Sequence, residues 1–237
     1  MKNKRGQITF FVIIALVVVT VVLMVVLLNQ TKKIEKHETE IDKISSFIYD
    51  CVKTVGNNAA YTIGQKGGYL YLPDENVVAI YVEKNQTNIP SKEMIEKSIS
   101  QYINEELYFC TKNFIDFKDI KVIQKEINTT TEIRENEFFV SVNYPITIEK
   151  NNKTSYLQFF NVTFKVRLGF IYGLAVQLAH EANKESLCVS CIFDIAAKNN
   201  LTIDIITRLD KTIIYSIIDH ESLINGKPYE FIFGVKK

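Results

Sequence analysis

The stretch Glu137-Phe138-Phe139-Val140-Ser141-Val142-Asn143-Tyr144-Pro145-Ile146-Thr147-Ile148-Glu149 is followed, after Lys150-Asn151-Asn152-Lys153-Thr154, by Ser155-Tyr156-Leu157-Gln158-Phe159-Phe160-Asn161-Val162-Thr163-Phe164-Lys165-Val166-Arg167. Both runs alternate apolar and polar residues and are rich in β-branched and aromatic side chains, which predicts two strands. Asn151-Asn152 between them suits a hairpin turn. Pro145 has no N–H to give to a ladder, so it either demotes its strand to an edge or marks a bulge.

Working toward the C-terminus, Leu168 to Asn183 has helical spacing, and Cys188 to Lys198 reads as a shorter helix. Strands are expected at Leu201 to Arg208, Thr212 to Asp219 and Pro228 to Phe233, with Asn225-Gly226 in the last connection. Toward the N-terminus, Lys121 to Ile127 reads as a strand and Asn128 to Thr131 as a mobile loop. A helix is expected from Ser91 after Pro90 to about Tyr108, burying Met94, Ile95, Ile99, Tyr102, Ile103 and Leu107. Tyr69 to Leu72 and Val77 to Val82 read as strands flanking Pro73 to Asn76, after the turn signal Gly64 to Gly68. No regular βαβ alternation appears, so the expected class is α+β with an antiparallel sheet and additional helices.

The N-terminal quarter has a different character. From Gln7 to Gln30 no residue carries a charge, and 14 of the 17 residues from Val12 to Leu28 are Val, Ile or Leu. Twenty-one residues from Ile8 to Leu28, at about 1.5 Å each, match the roughly 30 Å hydrocarbon core, so a transmembrane helix is expected over 7–30. An amphipathic helix or stalk should follow over 31–60, with Ile34, Ile41, Ile44, Ile48, Cys51 and Val55 on one stripe and an interruption near Gly56-Asn57-Asn58. Residues 1–6 form a basic leader. Residues 61–237 are then an α+β head, with 120–150 as the place where two subdomains would divide.

The 237 residues carry 28 Lys+Arg against 27 Asp+Glu. Without Lys2, Lys4 and Arg5 the balance is 25 against 27, which excludes a polyanion binder driven by bulk charge, and nucleic acid with it. Fifteen Phe and 12 Tyr can fill a core, which excludes disorder.

Six Asn-x-Thr acceptors, at Asn29, Asn85, Asn128, Asn152, Asn161 and Asn200, are candidate glycosylation sites. With an even set of four cysteines they favour a cytoplasmic N-terminus and an extracellular C-terminal domain. Cys51 and Cys110 suit a bridge between two helices, worth roughly 4 kcal/mol by loop closure over about 60 residues. Cys188 and Cys191 would form the second disulfide, although four cysteines allow three connectivities.

The Cys188-Val189-Ser190-Cys191 motif at a helix start also fits a reactive thiolate and thiol-disulfide exchange, or two of four zinc ligands if Cys51 and Cys110 approach. Spacing alone favours a structural bridge, and no metal is assigned. His180-Glu181 does not make a zinc-protease helix, because position 184 is Lys. Asp219-His220-Glu221 reads as a solvated turn before it reads as an acid–base site, and His37 as a surface residue. No phosphate loop, dinucleotide fingerprint or nucleophile elbow is present, and no cofactor is implied. The aromatic sets Tyr69/Tyr71/Tyr81 and Phe159/Phe160/Phe164 are core by default and a partner or glycan face otherwise.

Lys4-Arg5-Gly6-Gln7 opening an apolar helix resembles the class III signal peptide of archaeal type IV pilin-like proteins. That resemblance implies cleavage between Gly6 and Gln7 by a prepilin-type peptidase, and a long helix whose upper half packs on a globular head. The Glu that many pilins carry at the fifth mature position corresponds here to Phe11. An uncleaved signal anchor fits the same residues. The expected function is thus a non-enzymatic, membrane-anchored, cell-surface structural or adhesion protein, with self-assembly into pilus-type filaments one form of it. A membrane-anchored thiol-disulfide oxidoreductase using Cys188 and Cys191, or a ligand-binding ectodomain, are the alternatives.

Overall fold

The computed structural model describes residues 16–24, 40–73, 77–84, 86–182 and 188–236, and the chain divides into a unit Met1–Lys43 and a compact unit Ile44–Lys237. In the first unit, residues 16–24 are helical, and their apolar side chains from Leu16 to Met24 are 54% to 65% exposed. Nine residues at about 1.5 Å each cover under half of a hydrocarbon core. Among the described residues no helix is long and apolar enough to cross a membrane. This corrects the expected transmembrane helix and the single-pass placement with a C-terminal domain outside. The rest of the span expected over 7–30, the leader 1–6 with Gly6 and Gln7, and residues 31–39 of the stalk lie outside the described residues.

Helix α1 (Glu40–Gln65) buries Ile44, Ile48, Cys51, Val52, Val55, Ala59 and Ile63 at the helical repeat. The helix continues through Gly56 without interruption. A Cβ there would lie 2.2 Å from the Phe164 ring, so glycine is what lets the helix approach the sheet.

The body holds two sheets. A five-stranded sheet has the order β2 (Gln86–Thr87), β1 (Ile80–Glu83), β9 (Lys227–Lys236), β8 (Thr212–Ile224), β7 (Leu201–Thr207). In the other, β3 (Lys121–Gln124) and β4 (Asn128–Ile133) both pair with β5 (Phe138–Lys150), as does β6 (Lys153–Phe164). The second sheet is antiparallel throughout. The first is mixed, because β1 runs parallel to β9. That parallel pair corrects the expectation of antiparallel pairing alone.

The β5–β6 hairpin turns at Asn151 (φ +47°) and Asn152 (φ +60°), and β8–β9 at Asn225 (φ +52°) and Gly226 (φ +77°). Both turns are of the left-handed kind that matches strand twist. Between Asn143 and Ile146 the β5–β6 register shifts, so Pro145 lies in a bulge. Its strand is central, not an edge, and the Pro145 carbonyl accepts from Lys125 N–H at 3.0 Å.

Ser91 caps α2 (Lys92–Thr111), its side chain accepting from Met94 N–H at 3.2 Å. Ile95, Ile99, Ile103 and Leu107 are buried, whereas Met94 is 46% exposed. The helix packs on β4: Ser100 and Thr131 hydroxyls lie 2.8 Å apart, and Ile133 N–H donates to Glu96 Oε1 at 2.8 Å. Asn128 to Thr131, expected as a mobile loop, is strand because its β-branched threonines pair along β5. Tyr69 to Leu72, expected as a strand, is irregular chain with a bend, following Gly67 and Gly68 at positive φ. Helix α3 (Leu168–Ala182) lies against β9, β1 and β8, and α4 (Val189–Lys198) against β7.

Candidate functional site

Two disulfides are present, Cys51–Cys110 and Cys188–Cys191. The first joins α1 to the last turn of α2 across 59 residues, with Cys51 buried. The second closes a three-residue separation at the start of α4, where both cysteines are exposed. Cys188 occupies the N-cap, and its Sγ accepts from Cys191 N–H at 3.3 Å. No free thiol and no metal-holding group of His, Cys, Asp and Glu occurs among the described residues. The pair as it stands offers an accessible disulfide at a positive helix end, which favours a thiolate leaving group during exchange with a dithiol.

A buried ion pair lies where β6 passes into α3. Asp219 is fully buried and accepts from the Arg167 side chain on both carboxylate oxygens. Ser222 Oγ donates to the same carboxylate, as does Glu221 N–H at 3.0 Å. Arg167 also donates to the Asn199 carbonyl at 2.9 Å and meets Glu221 at 2.7 Å. Burial alone would raise the Asp219 carboxyl, but these donors and the guanidinium charge hold it below the usual carboxylate range. Every Asp219 oxygen is thereby engaged, so the residue is a clamp rather than a proton donor or acceptor. The solvated turn expected at Asp219-His220-Glu221 is instead part of strand β8, at its register irregularity, where His220 and Glu221 are exposed and Asp219 is buried. His220 Nε2 lies 2.9 Å from Thr202 Oγ1. The nearby Tyr229 hydroxyl is fully buried without a partner, and burial pushes its pKa far up.

A cleft of about 450 Å³ opens between α2, β3 and β5. Asn104 and Tyr108 come from α2, Gln124 and Lys125 from the end of β3, and Tyr144 from the bulge of β5. The floor is a chain of hydrogen bonds. Tyr144 OH donates to Gln124 Oε1, and Gln124 Nε2 donates to Asn113 Oδ1 at 2.6 Å. Asn113 lies in the turn after α2, where Lys112, Asn113 and Phe114 have φ of +46°, +53° and +57°. Each left-handed non-glycine residue costs on the order of 1 kcal/mol. Burial of Phe114 against Phe47 of α1 (6.1 Å) and Tyr144 (6.5 Å) offsets that cost. Asn104, one of the lining residues, keeps its Oδ1 buried with no hydrogen-bond partner.

Asn128, Asn152, Asn161 and Asn200 are all exposed, on β4, the β5–β6 turn, β6 and the turn before β7. Asn29, Asn85 and His37 lie outside the described residues. His180 is exposed on α3. The aromatic sets split: Tyr81, Phe160 and Phe164 are buried, while Tyr71 and Phe159 are 66% and 59% exposed. Sequence reasoning did not find the cleft, because its residues come from separate elements with no shared motif. It did not find the Arg167–Asp219 pair either, since 52 residues separate the partners. The chain matches no protein-family model, no curated protein and no solved structure.

Proposed function

We propose that the protein is a non-catalytic assembly subunit of the type IV pilin-like kind that its N-terminus resembles. The observation carrying this reading is the helical stretch 16–24, whose side chains from Leu16 to Met24 are apolar apart from Thr20 and at least half exposed. A helix apolar all round is stable only when other apolar surface covers it, and identical helices from other copies are such a surface. The body supplies what an assembled subunit needs beside that helix. It is a two-sheet unit built on α1 and closed covalently by Cys51–Cys110. In this reading the working partners are further copies of the chain, and a prepilin-type peptidase that releases Gln7.

The test is the state of association of the full chain, by light scattering and negative-stain imaging, against the variant Val18→Asp/Val22→Asp. The reading expects large ordered assemblies from the parent chain and single particles from the variant. Assemblies that persist unchanged in the variant, or a parent chain that stays single, would overturn it.

A further inference from the structure

We infer that the outer edge of β6 (Lys153–Phe164) pairs with β6 of a second copy of the chain, the two strands running antiparallel about Gln158. An edge strand leaves its outward N–H and C=O groups without a ladder, and any extended chain can complete them. Folded proteins therefore guard edges with charge, proline, short length or a covering helix. The other edges of this body are guarded in those ways. Helix α2 lies beside β4, with Glu96 accepting from Ile133 N–H at 2.8 Å. Strand β7 carries Asp204 at its middle and lies against α4. Strands β2 and β3 are two and four residues long.

Strand β6 has none of these guards. It pairs with β5 alone, and among the described residues no backbone hydrogen bond leaves its other side between Lys153 and Thr163. The eleven residues from Thr154 to Phe164 include no charge, no Pro and no Gly. The extra residue of the bulge sits on β5, since Asn143 to Ile146 advances three steps against two from Phe159 to Leu157, so β6 keeps its alternation. On this strand Tyr156 is 75% exposed and Phe159 59%. A long, uncharged, aromatic edge left open invites aggregation, and a defined partner removes the hazard.

The edge is complementary to itself. About Gln158, Leu157 meets the partner's Phe159, Tyr156 the partner's Phe160 and Thr154 the partner's Val162, each pair occurring twice by the two-fold axis. Lys153 then meets the partner's Thr163. A centre one residue later, at Phe159, would set Lys153 opposite the partner's Lys165, and like charges directly opposite destabilise a strand pair. The pairing uses no residue of the apolar N-terminal stretch, so it stands apart from the assembly reading. A single strand pair falls short of the roughly 1,200 Å² at which specific interfaces become stable, which points to a dissociation constant on the order of 0.1 mM. Copies therefore part at the dilution used for imaging, and pair at high concentration or where other contacts already hold them side by side.

The experiment uses the full chain carrying Val18→Asp/Val22→Asp, which sets larger assemblies aside, with Gln158→Cys, Thr154→Cys or Gln158→Lys added. Positions 154 and 158 are exposed and the four native cysteines are paired, so these changes leave the fold and its disulfides intact. A short bis-maleimide reports which positions meet their own counterparts, and sedimentation equilibrium up to about 1 mM reports the dimer. Gln158→Cys should give a cross-linked dimer roughly tenfold faster than Thr154→Cys, because in this register position 154 lies about 27 Å from its counterpart. Gln158→Lys, which sets two lysines against each other, should raise the dissociation constant roughly tenfold. Equal cross-linking at the two positions, a chain monomeric throughout that concentration range, or a dimer indifferent to Gln158→Lys would overturn the pairing. Those outcomes leave the assembly reading to its own test, since the chain used here lacks the intact apolar stretch.

Discussion

Helices α1 and α3 are fastened by opposite means. Around α1 and α2 the fastening is covalent, a buried disulfide across 59 residues. Around α3 and α4 the disulfide is exposed and local, and the long-range fastening is electrostatic, Arg167 clamping Asp219 and the Asn199 carbonyl. A cross-link stabilises by removing freedom from the unfolded chain, so its worth grows with the loop closed. A buried ion pair works instead through the folded state, because losing one partner strands the other without water. The first fastening is thus lost only by breaking a bond, and the second by losing the charge of Asp219.

Removing the first disulfide should have the largest effect. Cys51→Ala/Cys110→Ala is expected to lose about 4 kcal/mol of unfolding free energy, read from urea titration with Cys188–Cys191 intact. A loss below about 1 kcal/mol would mean that packing of α1, not the bridge, fastens this half. Asp219→Ala should follow at roughly 3 kcal/mol, moderated by the remaining contact of Arg167 with Glu221. Were Asp219→Ala neutral, the clamp would not be holding α3 and β7 to β8.

Cys188→Ser/Cys191→Ser should cost no more than about 2 kcal/mol, the loop-closure value for so short a ring. Mild dithiol should reduce this pair first, while Cys51–Cys110 stays oxidised until the body unfolds, which thiol alkylation and mass mapping would read. Equal rates of reduction would erase the contrast.

The smallest effect is confined to acid. Asp219 is held below the ordinary carboxylate value in the folded chain. Its contribution is therefore full above the unfolded value of about 3.9 and is lost as pH falls through the lower folded value. The urea midpoint should be insensitive to this group at neutral pH and fall in acid, with a shallower fall in Asp219→Asn.

Much of this architecture was legible in local patterns. Alternation together with Asn151-Asn152 and Asn225-Gly226 marked the hairpins, because only residues tolerant of positive φ close such turns. Ser91 followed by Ile95, Ile99, Ile103 and Leu107 marked α2, with its cap and its buried stripe. What depends on distant partners was not legible. The parallel β1–β9 pair joins segments far apart in the chain and leaves no local signal. Asn128 to Thr131 looked like a loop by polarity, and β5 makes it a strand. Asp219 looked wet because its charge is visible in the sequence and its partner Arg167 is not. The cleft was invisible for the same reason: Asn104, Gln124 and Tyr144 have ordinary local roles, and only the fold brings them together.

The assembly role proposed for the apolar N-terminal stretch requires removal of residues 1–6. The most direct test is mass-spectrometric sequencing of the N-terminus of the protein recovered from its own cells. The account predicts a chain that begins at Gln7, and a chain that retains Met1 through Gly6 would contradict it.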